Sequence, residues 1–134
     1  MPWIVGNMKW IMVVCGLLTS TMIYAALFPA KALESTFGES LSGPLAELIV
    51  RNWGALIAMG GGMLIYAAFR PAVRPIVLVF TGLGKALFVV LVLLQGGQYL
   101  RYQAGIAVVT DSLMVIIFAW YLLASRTLLL KTSR

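Results

Sequence analysis

The chain has 134 residues, 62% hydrophobic and only 10% charged, with a net charge of +6. Soluble domains run at about 45–50% apolar and about 25% charged, so this composition excludes an ordinary soluble domain and points to one embedded in a membrane. The basic residues sit mostly at the ends of apolar runs, a pattern of membrane orientation rather than of a nucleic-acid surface.

Trp3, Lys9 and Trp10 flank the first apolar run as interface anchors. The first span is predicted over 10–28 and is closed by Pro29. Its apolar stretch exceeds the roughly 7–15 residues of a secretory signal peptide, so the segment is expected to be retained. Gly16 and Ser20 lie four apart, with Tyr24 on the same face, a small-residue stripe suited to close helix contact. An outer loop follows over 29–44. Leu33 and Phe37 are four apart there, which fits either a short helix lying on the membrane surface or an ordinary connection with apolar tethers. Gly43-Pro44 opens the second span, predicted over 45–69, because proline is tolerated in a first helical turn. Within it Gly54, Ala58 and Gly62 fall four apart and form a small-residue packing ridge. Glu47 lies four residues before Arg51, a spacing that allows a local ion pair.

Arg70 to Pro75 is a tight basic turn, and the third span is predicted over 76–94. This run is apolar all round, as a membrane span is and a soluble surface helix is not. Lys85 sits at its centre. The fourth span is predicted over 106–124, after a polar loop with Tyr99 and Tyr102, and it carries Asp111 near its start. Lys9, Arg70, Arg74, Arg126, Lys131 and Arg134 fall on one side, and Lys31 and Arg101 on the other. That asymmetry places both termini in the cytoplasm. The fold expected is all-α, an integral-membrane four-helix bundle, antiparallel, in the cell inner membrane.

Arg51, Asn52, Lys85 and Asp111 form the one constellation with chemical potential. At 1.5 Å per residue, Arg51 lies about 9 Å and Asp111 about 8 Å below the outer ends of their spans, and Lys85 about 14 Å above the inner end of its own. Helical side chains lean towards their own N-terminus, which carries Lys85 away from Asp111. The expected first pair is therefore Arg51–Asp111, with Lys85 completing a looser cluster near Asn52 and Thr110. A central lysine costs about 2.5–3.5 kcal/mol on the insertion scale, against roughly −4 to −8 kcal/mol from the Leu, Ile, Val and Phe of its span. The third helix can therefore insert with Lys85 unpaired. The cluster is thus open to two readings, a structural polar contact or a site facing a ligand or ion path.

Several features appear together: a first span ending in proline (LFPAKALESTFG), an arginine at the head of a Gly-rich second span (IVRNWGALIAMGGGMLIYAA), then a charged turn and two further spans. In these the chain resembles the small bacterial four-helix membrane proteins of the DoxX-like and BphX-like kind. The resemblance implies the architecture; it assigns no activity and no role to Lys85.

The chain has no histidine, a single cysteine (Cys15) and four acids. Those numbers argue against a metal site, a cofactor or catalysis. The function expected is that of a non-catalytic accessory or structural subunit, with the lipid bilayer and a homo-oligomer or larger membrane complex as partners. The alternative is a binding or transport protein for a small apolar or anionic ligand, using Arg51, Lys85 and Asp111. An enzyme acting on a lipid or quinone, with Asp111 as base and Lys85 or Tyr24 as acid, has the least support.

Overall fold

A computed structural model describes residues Pro2–Thr132. The side chain of Lys131 and all of Arg134, both used in the charge count, lie outside the described residues. The protein is all-helical, 87% helix with no strand among the described residues. The described residues include four helical stretches long and apolar enough to cross a membrane.

In chain order the helices are α1 (Pro2–Gly6), α2 (Met8–Ser20), α3 (Ile23–Leu27), α4 (Pro29–Phe37), α5 (Pro44–Ala68), α6 (Arg74–Gln95) and α7 (Gln103–Thr132). Single 3₁₀ turns, Pro71–Val73 and Gly97–Tyr99, precede α6 and α7. Together α2 and α3 make the first span, broken at Thr21–Met22. There the backbone switches to i→i+3 bonds: Thr21 and Met22 donate to the Leu18 and Thr19 carbonyls, and Tyr24 and Ala25 to those of Thr21 and Met22. The Thr19 and Thr21 hydroxyls also donate back, to the Cys15 and Leu18 carbonyls. Such side-chain bonds bend a helix while leaving its amides paired, which the absence of water in lipid requires.

The connection between the first two candidate spans is helical over its first half. Pro29 starts α4, which buries Pro29, Ala32 and Leu33. Gly38 stops it with φ 74°, a left-handed conformation suited to glycine, and a Cβ at that position would run into the Tyr102 ring. Helix α7 runs past the expected end at Ala124, because the sequence after it holds neither Gly nor Pro.

The interior has two parts. The larger gathers Met8, Met12 and Cys15 from α2, Leu64, Ala67 and Ala68 from α5, Val77 and Leu78 from α6, and Met114 and Phe118 from α7. The smaller lies towards the α4 end and joins Ala25, Ala32, Leu33 and Val50, with Phe37 and Trp53 against them. Most large apolar side chains point outward, among them Leu17, Leu56, Phe80, Leu83, Ile106 and Ile116. An outward apolar belt of this kind matches a hydrocarbon surround, where exposure of leucine costs nothing.

Buried positions recur with a seven-residue repeat. On α5 Val50, Gly54, Gly61, Leu64 and Ala68 follow it, with Ala67 buried beside them; on α2 Met8, Met12, Cys15 and Thr19 follow it, with Gly16 buried beside them. That period keeps one seam facing its neighbour along the whole helix. It corrects the expected ridge. Gly54 does meet α3, where a Cβ would stand 2.7 Å from the Ala25 Cβ and 2.8 Å from the Ala26 amide. Gly62 faces open space, and Gly61 takes its place against Gly16 and Ser20. A four-residue step drifts off a contact line that repeats every seven, so 54 and 61 share the seam while 62 rotates out of it.

Candidate functional site

Lys85 lies on the buried side of α6, in line with Leu78 and Thr81. Asp111 lies on the side of α7 that carries the buried Ala104, Val108, Met114 and Phe118. Packing of α6 against α7 brings the two together: Lys85 Nζ donates to Asp111 Oδ1 at 2.9 Å. The lysine side chain is 10% exposed and the aspartate 18%. This is the ion pair found among the described residues. In a low-dielectric surround a charge-assisted bond of this length is strong, and either group alone there would be costly.

The expected Arg51–Asp111 pair is not formed. Arg51 is exposed, and its Nη1 donates instead to the Ala26 carbonyl at 2.7 Å. Ala26 lies in the last turn of α3, where Pro29 ends the helix and leaves carbonyls without an intrahelical partner. Depth alone favoured Arg51, but rotation decides. Arg51 projects from α5 towards α3, whereas Lys85 and Asp111 share the α6–α7 seam. The long lysine stem then overcomes the backward lean of the Cα–Cβ bond. Glu47 makes no ion pair with Arg51 either.

The rest of the expected cluster disperses. Asn52 is exposed on α5. Thr110 donates to its own helix at the Ile106 carbonyl, and Thr81 does the same at Val77. Tyr24 is exposed and lies against Phe28, with ring centroids 5.5 Å apart. Among the described residues no three His, Cys, Asp or Glu side chains come together as a metal site would need. Two shallow clefts of about 260 and 250 Å³ flank Phe37 at the α4 end, one bordered by Glu39, Ser40 and Tyr99, the other by Ile49, Trp53 and Phe88. Neither reaches Lys85 or Asp111.

Sequence reasoning passed over Arg74, which is structural. Its Nε and Nη2 donate to the Ala67 and Ala68 carbonyls at 3.2 and 2.6 Å, capping the end of α5. A basic residue just past a helix end, across a proline-containing turn, was the signal available. Both arginines thus hold backbone carbonyls. Arg51→Met is expected to lower stability by about 1.5–3 kcal/mol, the worth of a charge-assisted bond to a carbonyl. It should also raise tryptic cleavage after Lys31, because α4 loses its anchored entry; unchanged cleavage kinetics would contradict that role.

No protein-family model, curated protein or solved structure matches the chain. The arrangement of charges therefore stands by itself. Among the described residues it includes one closed ion pair and two carbonyl-capping arginines.

Proposed function

We propose that this protein is a non-catalytic, multi-pass subunit of the inner membrane that assembles with its own copies or with other membrane proteins. The four spans run antiparallel with both termini in the cytoplasm, the basic end bearing Lys9, Arg70, Arg74 and Arg126 on that side. The architecture is that of the DoxX-like proteins it resembles.

One observation carries this reading. Asn52 stands eight residues into α5, about 12 Å along the axis, and faces outward. It shares its face with the exposed Leu48, Leu56, Met59, Met63 and Tyr66. A primary amide turned to lipid has two donors and an acceptor to satisfy, and a facing helix with its own polar group satisfies them. Among the described residues Arg51, Thr19, Thr21, Thr81 and Thr110 already donate to backbone carbonyls of this chain. Lys85 and Asp111 neutralise each other, which supports a packing role over a ligand site.

The test is the subunit count of fluorescently labelled protein in dilute liposomes, by single-molecule photobleaching. The wild type is expected to occur as oligomers or to co-purify with a membrane partner in mild detergent. Asn52→Leu should weaken association by about 3- to 30-fold, the range for an interhelical hydrogen bond in lipid. A wild-type chain that is monomeric at every density and captures no partner would overturn the proposal.

A further inference from the structure

We infer that the basic end of the helices holds the headgroup of an anionic phospholipid between α2 and the end of α5. Lys9 Nζ stands 5.0 Å from the Trp10 ring centroid and 4.7 Å from that of Phe69. The Arg70 guanidinium lies 5.8 Å from the Tyr66 ring. Lys9 therefore rests on Trp10 and Phe69 and Arg70 on Tyr66, one helical turn before Phe69, so three aromatic rings fix where the two cations sit. Trp10, Tyr66 and Phe69 are all more than 50% exposed, as residues at headgroup depth are.

Among the described residues the charge at this end has no counterpart. Glu34, Glu39 and Glu47 lie near α4 at the other end, and Asp111 is taken by Lys85. Among the described residues no carboxylate lies within ion-pair distance of Lys9, Arg70 or Arg74. Aromatic faces attract a cation but do not neutralise it. Arg74 is turned to the α5 carbonyls, whereas Lys9 and Arg70 rest on exposed aromatic rings and face the bilayer.

The anion that a bilayer supplies at this depth is a lipid phosphodiester. Its oxygens accept from both the ammonium and the guanidinium. Below the cations, the exposed Val14 and Leu17 of α2 continue the apolar surface on which an acyl chain would lie. A phosphatidylcholine would bring its own cation into a site that already holds two. A net-negative lipid, such as phosphatidylglycerol, is the better complement. This inference needs only that the spans lie in a bilayer; of the site's aromatic rings, Tyr66 alone also lies on the Asn52 face.

Trp10 is a reporter inside the site. A chain with Trp10 as its single tryptophan (Trp3, Trp53 and Trp120→Phe) is reconstituted in phosphatidylcholine vesicles. Brominated phosphatidylglycerol and brominated phosphatidylcholine are then compared as quenchers at equal mole fraction. The anionic lipid is expected to bind beside Trp10 with a preference that falls about five-fold for each of Lys9→Gln and Arg70→Gln. Arg101→Gln, at the other end, should leave the preference unchanged. The charge-keeping Lys9→Arg/Arg70→Lys chain should retain it, which separates lost charge from lost fold. Equal quenching by the two lipids overturns the assignment, as does a preference that survives Lys9→Gln/Arg70→Gln. So does loss of preference in the charge-keeping chain. Inorganic phosphate at matched ionic strength should not relieve the quenching; relief would assign the cations to a free anion instead of a lipid.

Discussion

Asp111→Leu is expected to destabilise the protein by about 3–5 kcal/mol, whereas Lys85→Met/Asp111→Leu together should cost less than about 1 kcal/mol. The single change leaves an ammonium group on the α6–α7 seam with no carboxylate, 10% exposed and surrounded by apolar side chains. The double change replaces both charges with apolar groups of similar volume, and in lipid those insert favourably. Lys85→Met alone should cost less than Asp111→Leu, because Asp111 is the more exposed partner at 18%. Reversible unfolding in mixed micelles on titration with sodium dodecyl sulfate, followed by helical circular dichroism, gives the three differences. The coupling term of the resulting cycle measures the pair itself. A loss below about 0.5 kcal/mol for Asp111→Leu would mean that Lys85 finds water or another partner, and would reopen the ligand-site alternative.

The second large effect is at the α2–α5 contact. Gly61→Val should prevent close approach and cost about 1–3 kcal/mol or more, while Gly62→Val should change stability by less than about 0.5 kcal/mol. A Cβ at Gly61 would lie 2.6 Å from both the Gly16 carbonyl oxygen and the Ser20 amide nitrogen, and these are backbone atoms that cannot rotate away. At Gly62 a Cβ meets nothing within 4 Å. Adjacent residues of the same type thus differ sharply, and the same unfolding measurement reads both. Equal losses at the two positions would favour the four-residue ridge over the seven-residue seam.

Composition and run length were enough to show that this chain is helical and has four candidate membrane spans. The bilayer imposes a length of about 20 apolar residues on any span, so the signal is one of length and composition and survives without a partner sequence. Proline and glycine also marked the helix ends legibly. Pro29 and the Gly43-Pro44 pair act through the local backbone, with no need of a distant contact.

The pairing of charges was not legible in this way. Arg51, Lys85 and Asp111 could each be assigned a depth from residue counting, yet depth is one coordinate of three. The direction of each side chain around its helix depends on which helices are neighbours, and that is a property of the packed bundle. A seven-residue count along α6 and α7 puts Lys85 in line with Leu78 and Asp111 in line with Phe118, so the seam was partly present in the pattern. What the pattern lacked was a polar–apolar contrast: the lipid-facing residues are as hydrophobic as the buried ones, and the buried face leaves no mark. For the same reason Gly61 and Gly62 could not be told apart by type. The sequence by itself determined the four candidate spans, the helix ends marked by Pro29 and Pro44, and the basic asymmetry. The tertiary structure decided that Lys85 holds Asp111, that Arg51 caps α3, and that Asn52 faces outward, because rotation about a helix axis is set by close packing.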